Sequence, residues 1–389
     1  MNNRSSESTV DSVAFIVAAN ETADAFLAPH IRELAADFQI TVIGNRVSEC
    51  NEIDPRAILT DLTIERSMNI FADIRACVSL YRIFRREKFD AVQSMTPKAG
   101  LLTALAAFAA RIPTRIHWFT GQVWATRSGL SRQILKSLDR VTATLSTHLL
   151  VDSHSQRDFL DINSVAKTRK TLVLANGSTR GVDCNRFRMN KSRRGSVRSN
   201  LGIPKEDKIV LFIGRLNREK GVSDLLDAFG SLPTNLGAHL VLVGTDEEGF
   251  AEKSPMGKSP APTNVYFVGH QANVLDFLID ADIFVLPSHR EGLPISLLEA
   301  GAVGLPIIGT EINGITDVIE NGLNGMLVPS ADSGRLFYAL QTLLLDDDLR
   351  KRLGQGAMDS IRLRFREELL TNAYKRFLCA ALVKTASRP

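Results

Sequence analysis

A chain of 389 residues, 44% apolar and 23% charged, has the make-up of a soluble globular protein of about two domains. That composition excludes disorder, collagen and coiled coil as descriptions of the whole. The formal net charge of +4 conceals an asymmetry: residues 1–200 hold 28 Lys and Arg against 19 Asp and Glu (+9), the remainder 19 against 24 (−5), which implies different partners for the two halves.

The first residues, Met1 to Asp11, are polar, lack the apolar core of a signal peptide and predict a frayed tail. Ser12–Ala19 predicts a buried strand, followed by a helix near Asp24–Asp37 and a strand at Gln39–Ile43. Met68–Glu87 reads as helix, Ala91–Gln93 as a short strand and Lys98–Ala110 as helix. The longest apolar run, Ala99–Ala110, falls inside that last helix. A membrane span needs ~20 residues, so the run reads as buried helix and the chain is expected to stay in the cytoplasm. Arg115–Phe119 is extended, Leu130–Ala143 helical, Leu149–Val151 a strand and Ser155–Leu160 helical. Arg186–Asn200 breaks the rhythm with Arg186, Arg188, Lys191, Arg193, Arg194 and Arg198, and predicts an exposed connection between domains.

Alternation resumes after Pro204. Strands are expected at Lys208–Ile213, His239–Val243, Val265–Val268, Ile283–Leu286, Pro306–Gly309 and Gly325–Val328. Helices are expected at Val222–Phe229, Gln271–Ile279, Leu297–Val303 and Asp332–Leu345. Strand–helix alternation of this kind is the signature of parallel sheets with crossover helices. The fold class is therefore α/β, with two doubly wound Rossmann-like domains and an interdomain cleft. The first is expected over 1–185, a linker over 186–204 and the second over 205–364, with a C-terminal helix at about 365–389 packing back on the first. Ligands of such sheets bind beyond the carboxyl ends of the strands.

Cys50, Cys77, Cys184 and Cys379 lie far apart with no C-x-x-C, which argues for a reducing compartment and against a zinc site. No G-x-x-x-x-G-K-[ST], no G-x-G-x-x-G after the first strand, no H-E-x-x-H and no G-x-S-x-G is present. Asp280-Ala281-Asp282 reads as a helix end and a strand start rather than as a metal-binding pair, so no metal site is predicted.

Two segments carry chemistry. In Pro287-Ser288-His289-Arg290-Glu291-Gly292-Leu293-Pro294, a strand runs into a loop and then a helix begun at Pro294. The Gly292 and Leu293 amides are free there, at the positive end of the helix. Glu291 and Glu299 can each accept two hydroxyl hydrogen bonds, which suits a polyol, or they are simply a capping acid and a surface acid. In Gly214-Arg215-Leu216-Asn217-Arg218-Glu219-Lys220-Gly221, a strand-end turn projects two cations toward the same edge. Arg215 can grip phosphate oxygens bidentately and Lys220 can act as a point charge; the alternative is a solvated charged turn.

Here the chain resembles the retaining glycosyltransferases of the fourth sequence family, which have the GT-B fold. The resemblance rests on G-R-L-x-x-x-K-G (Gly214, Arg215, Lys220, Gly221), on Glu291 and Glu299 within P-S-x-R-E-G-L-P and beyond, on Gly304-Leu305-Pro306 and on Asn321–Gly325. It implies that Arg215 and Lys220, beside Gly214, hold the donor diphosphate and that Glu299 binds the ribose hydroxyls. Glu291 and the Gly292 and Leu293 amides would hold the donor sugar, and Phe267-Val268-Gly269-His270 would flank the nucleobase. It also implies metal-independent transfer, because the two cations and the helix end offset the leaving-group charge.

The front half resembles a bacterial subgroup that extends lipid-linked oligosaccharides for O-antigen, capsule or glycoprotein glycans. The segments are Phe26–His30, Thr96–Gly100, His117–Trp124, Asp152–Arg157 and Asn176–Ser178. Ala18–Glu21 stands where many members have a Gly-Gly loop, and that loop receives no transferred role. By resemblance, His117 contacts the donor sugar or the acceptor. Trp118 and Trp124 are either a sugar-stacking platform or core anchors, and Lys98 either reaches an acceptor phosphate or is a surface lysine. Arg82, Arg85, Arg86 and Lys88 end a helix, as dipole complements or as contacts for anionic lipid.

The expected function follows. A hexose or N-acetylhexosamine moves with retention, without metal or other cofactor, from a UDP-sugar to a polyprenyl-diphosphate-linked oligosaccharide. Glu291, Lys220, Arg215 and His117 would act in transfer. The expected location is peripheral, on the inner face of the cytoplasmic membrane, against an anionic surface. The alternative is a different nucleotide sugar with a soluble sugar or sugar-phosphate acceptor. Two tryptophans, four tyrosines and scattered cations make no stacking groove, so no nucleic-acid partner is expected.

Overall fold

The computed structural model describes residues 10–65, 69–189, 193–252 and 264–386. The expected tail up to residue 9, Met68 of the expected helix and Lys191 of the basic stretch lie outside the described residues. The chain divides into two compact units. One comprises Met1–Asp152, Arg157–Leu174 and Leu370–Pro389; the other comprises Ser153–Gln156 and Ala175–Leu369.

The first unit begins with β1 (Ser12–Ile16), then α1 (Asn20–Thr22), which runs through a π-helical turn into α2 (Ala28–Leu34). There follow β2 (Gln39–Gly44), β3 (Ile58–Asp61), α3 (Ile70–Glu87), β4 (Ala91–Met95), α4 (Pro97–Ala109) and β5 (Thr114–Phe119). After them come α5 (Gly129–Leu145), β6 (His148–Val151), α6 (His154–Ile162) and β7 (Thr171–Val173). The seven strands are parallel in the order β3-β2-β1-β4-β5-β6-β7. In β1, Val13 and Phe15 join a core on one face with Leu27, Trp118 and Tyr374. Ala14 and Ile16 join a core on the other face with Leu80, Phe84 and Leu102. A strand covered on both faces has no polar side, which is why this segment is a continuous apolar run.

Two strands had no sequence signal. β3 and β7 are the two edges of the sheet, short and partly exposed, so neither needs an apolar run. Trp118 and Trp124 are completely buried, and their indole N–H groups donate to Asp152 (2.9 Å) and Asp139 (2.7 Å). They are core anchors, and burial excludes a sugar-stacking platform. Burial also pushes the Asp139 carboxyl up to about 6, against the pull of the Trp124 hydrogen bond.

The second unit starts with α7 (Ser196–Leu201) and β8 (Lys208–Ile213), then α8 (Val222–Gly230), β9 (Ala238–Val243), β10 (Val265–Gly269) and α9 (Leu275–Asp280). It continues with β11 (Ile283–Leu286), α10 (Ile295–Ala302), β12 (Ile307–Thr310), β13 (Met326–Val328), α11 (Ser333–Leu345) and α12 (Asp347–Arg364). Its six parallel strands run β10-β9-β8-β11-β12-β13. α13 (Glu367–Ala386) carries the chain back: Tyr374, Leu378 and Leu382 fill the first unit's core, and the Tyr374 hydroxyl donates to Gln93 at 2.6 Å.

The expected exposed connection at Arg186–Asn200 is corrected. The second unit already begins at Ala175, and Ser196–Leu201 within this stretch is helical. Arg198 is buried; its guanidinium donates to the Asp282 carboxylate and to the carbonyls of Pro204 (3.2 Å) and Asp207 (2.7 Å). Arg193 pairs with Asp276 and Arg194 with Asp282. Asp280, with no solvent exposure, accepts the backbone N–H groups of Gly195, Val197 and Arg198. Cations that looked solvated in sequence meet acids 80 or so positions away. The same bonds account for both carboxylates of Asp280-Ala281-Asp282 as structural.

Candidate active site

The site is built at the carboxyl ends of β8, β9 and β11. β8 runs out into Gly214, where a Cβ at Gly244 would lie 1.8 Å from the Gly214 carbonyl oxygen. Only glycine lets the two strand ends approach so closely. The chain then turns: Leu216 N–H donates to Thr245 (2.8 Å), and the Asn217 side chain accepts from Lys220 N–H (3.0 Å), capping a single 3-10 turn. Gly221, in the left-handed region at φ 71°, lets this turn pass the loop after β11; a Cβ there would lie 1.9 Å from the Pro287 carbonyl oxygen.

That crossing joins two of the expected residues. Lys220 Nζ lies 2.6 Å from Glu291 Oε1, and the Ser288 hydroxyl donates to the same oxygen at 2.7 Å. Ser288 is fully buried. The loops are laced further by His289 N–H to the Glu219 carbonyl (2.8 Å), His289 to Asp224 (2.6 Å) and Arg290 to Glu219 (2.6 Å). Gly292 and Leu293 follow, both buried, and their amides donate to no acceptor among the described residues. Pro294 caps α10, which starts at Ile295, rather than occupying its first turn.

The other expected residues have different partners. Arg215 pairs with both Glu247 oxygens at 3.1 Å, and Asn217 donates to Glu247 at 2.7 Å. Val268 sits near the carboxyl end of β10, two strands from β8, where its carbonyl accepts a 3.4 Å bond from Gln271. Glu299, on α10, is nearly buried and accepts a 2.9 Å bond from Arg180. Burial pushes its carboxyl up from the ordinary range; the Arg180 and Arg186 guanidiniums pull it down without cancelling that effect.

His117 belongs to the first unit. It is buried in β5, with Nδ1 2.9 Å from the Ser94 hydroxyl and its ring edge-on to Phe119. A Cβ on Gly100 would come within 2.3 Å of the imidazole. Burial holds the ring down to about 3, so it is neutral at physiological pH. Lys98 bonds Asp73 at 2.6 Å. Arg180, Asn217, Glu247 and Ser288 escaped the sequence reading. Asn217 and Ser288 lie inside recognised motifs, whereas nothing local marks Arg180 or Glu247.

This edge gathers two cations, two carboxylates and two amides without an acceptor among the described residues on adjacent loops. Residues 194–359 match the family model described as glycosyl transferases group 1, and residues 26–177 match the glycosyl transferase 4-like domain. The capsular polysaccharide biosynthesis glycosyltransferase CapM of Staphylococcus aureus is 25% identical over 88% of this chain and 91% of its own. The N,N′-diacetylbacillosaminyl-diphospho-undecaprenol alpha-1,3-N-acetylgalactosaminyltransferase of Campylobacter jejuni is 27% identical over 79% of this chain and 81% of its own. Among solved structures, Anabaena Alr3699/HepE in complex with UDP-glucose superposes with a TM-score of 0.79 at 18% identity, over 95% of this chain and 99% of that one. With both of its halves matched to the same group of enzymes and two parallel sheets of the same architecture, the chain belongs to the fourth sequence family of glycosyltransferases, has the GT-B fold and is a hexosyltransferase.

Proposed function

We propose that the protein transfers a hexose or N-acetylhexosamine, with retention and without metal, from a UDP-sugar to a polyprenyl-diphosphate-linked oligosaccharide in cell-surface glycan biosynthesis. The observation that carries this reading is the Lys220–Glu291–Ser288 cluster beside the unpaired Gly292 and Leu293 amides. In it, Lys220 and Arg215 offset the diphosphate charge as the donor bond breaks. Glu291, held through one oxygen, offers the other to a sugar hydroxyl. Glu299 accepts from the ribose. The leaving diphosphate takes the acceptor proton, so no protein base is required, and a neutral His117 fits that role division. Catalysis then comes from positioning and fixed charges.

The donor assignment draws on the UDP-glucose bound by the Anabaena neighbour, and the acceptor on the diphospho-undecaprenol named for the Campylobacter relative. A peripheral location on the inner face of the cytoplasmic membrane is supported by the surface of the first unit. There α3 exposes Ile70, Phe71, Ile74, Val78 and Tyr81. Its neighbour α4 exposes Leu105 and Phe108, and α5, packed on α4, exposes Leu130 and Ile134. No helix among the described residues is long and apolar enough to cross a membrane.

The test is a radiolabelled panel of UDP-sugars with a polyprenyl-diphosphate-linked acceptor, with and without EDTA. Transfer from one donor, unchanged by EDTA, is expected. Transfer only to a soluble sugar or sugar phosphate overturns the acceptor assignment, and loss with EDTA overturns metal independence.

A further inference from the structure

We propose that Arg180 is a positioning residue for Glu299: it fixes one carboxylate oxygen and leaves the other to receive the hydroxyls of the donor ribose. This rests on the reading of Glu299 as the ribose ligand. The loop that carries Arg180 is an expensive conformation. Ala175 (φ 50°) and Ser178 (φ 83°) both lie in the left-handed region that side chains avoid, alongside Gly177 and Gly181. Such non-glycine residues are strained there, and such a turn persists only where its surroundings enforce it.

The enforcement is visible. The buried Ser178 hydroxyl accepts from Gly181 N–H at 3.0 Å and from Arg180 N–H at 3.4 Å. Asn176 donates to the Arg364 carbonyl at 3.1 Å. Val182 N–H donates to Phe365 at 2.9 Å, and Glu367 N–H donates back to Val182 at 3.0 Å. Gly181 admits no side chain, because a Cβ would lie 2.8 Å from the Phe365 carbonyl oxygen. The turn is thus pinned at both ends with Arg180 at its exit, and the guanidinium meets Glu299 Oε1 at 2.9 Å.

Arg198, which supports the fold, donates from its guanidinium to three carbonyls and the Asp282 carboxylate. Arg180 differs: its Nε–H is buried with no partner among the described residues, and the side chain that its guanidinium meets is Glu299. Glu299 in turn has no other side-chain donor among the described residues, which leaves Oε2 for a ligand. The adjacent guanidinium offsets part of what burial costs the charged form of Glu299, and a fixed oxygen is what discriminates a vicinal diol from a deoxy sugar.

The experiment measures UDP and 2′,3′-dideoxy-UDP binding by calorimetry to the wild type, Arg180→Met, Arg180→Lys, Glu299→Gln and the double variant Arg180→Met/Glu299→Gln. The wild type is expected to prefer UDP. Arg180→Met should weaken UDP roughly tenfold while leaving dideoxy-UDP within about twofold. Arg180→Lys should recover part of the preference, and the double variant should bind UDP no worse than Glu299→Gln alone. If Glu299→Gln keeps the full preference for UDP, the ribose assignment of Glu299 fails, and the proposal with it. If Glu299→Gln loses the preference but both Arg180 variants keep it, the assignment stands and the positioning role is overturned. Equal weakening of both nucleotides by Arg180→Met, with no recovery in Arg180→Lys, assigns Arg180 to the fold and overturns the proposal too.

Discussion

Lys220 and Arg215 both face carboxylates, but the two pairs differ in kind. Lys220–Glu291 is largely buried and shares Ser288, whereas Arg215–Glu247 is about a third exposed. Lys220→Ala leaves a buried Glu291 with one neutral partner and removes charge from the leaving group; turnover should fall on the order of a hundredfold, with donor KM changed far less. On the proposed reading, Glu247 competes with the donor diphosphate for the Arg215 guanidinium. Glu247→Gln should therefore tighten UDP by roughly two- to fivefold, the worth of one exposed ion pair; a calorimetric loss of affinity would mean that Glu247 holds Arg215 in place instead. These residues also mark how much of the site the sequence could reveal. Gly214, Arg215, Lys220, Glu291 and Glu299 could be named as candidates because each lies in a short local motif. Arg180 was not, because its partner lies 119 positions away and no local pattern encodes that pairing. His117 was legible as a position but not as a state. Its folded value near 3 against 6.5 unfolded means the unfolded chain binds the extra proton between those values, so its burial favours folding fully above 6.5 and progressively less as pH falls toward 3. His117→Gln should shrink the drop in urea midpoint between pH ~7.5 and ~4.5; an unchanged drop would place the acid sensitivity elsewhere.

The elements recovered from sequence are those with two buried faces or a strong helical stripe. β1, β8 and β11 are continuous apolar runs, and α3 buries Ala76, Leu80 and Phe84 at every fourth position. Edge strands β3 and β7 were invisible for the converse reason, since an edge needs neither a second apolar face nor length. The basic stretch before β8 misled for an electrostatic reason. Charge density predicts solvation only if no opposite charge waits elsewhere in the chain, and here Asp276 and Asp280 wait in the first turn and at the end of α9, and Asp282 just before β11. α7 is therefore a docked element whose stability depends on one buried ion pair. Arg198→Met removes the guanidinium from Asp282 and from three carbonyls, and should cost about 3 kcal/mol in urea unfolding, since a buried pair broken on one side strands the other charge. A cost below about 1 kcal/mol would mean that Arg194 and solvent compensate Asp282. The donor loops, formed at the opposite ends of β8 and β11, should keep their UDP affinity in the same variant.

At the scale of the molecule, the charge asymmetry survives the redrawing of the units. The first unit holds 25 Lys and Arg against 18 Asp and Glu, and the second 22 against 25, so +7 faces −3 even though the basic stretch moved to the second unit. The surplus coincides with a helical face whose apolar residues have no partner: Phe71 is 82% exposed and Ile70 74%, and Arg82, Arg85 and Arg86 are exposed on the same helix. Isolated exposed apolar residues need no explanation, but neighbours on three packed helices do. An anionic bilayer offers both halves of what this face lacks. Each cation near such a surface contributes about 1 kcal/mol, and apolar side chains entering the interface add roughly 25 cal/mol per Å² removed from water. The two contributions separate experimentally because only the first is screened by salt. Flotation with vesicles containing anionic lipid should carry the wild type upward, and Arg82→Gln/Arg85→Gln/Arg86→Gln should lose most of that binding at low salt. Ile70→Ser/Phe71→Ser/Ile74→Ser should lose the part that persists at high salt. Because these side chains bury little in the fold, the melting temperature should stay within a few degrees of wild type, and transfer to a soluble acceptor fragment should persist while transfer to the membrane-embedded acceptor falls. A wild type that remains unbound to anionic vesicles at low salt would remove the bilayer as the partner of this face.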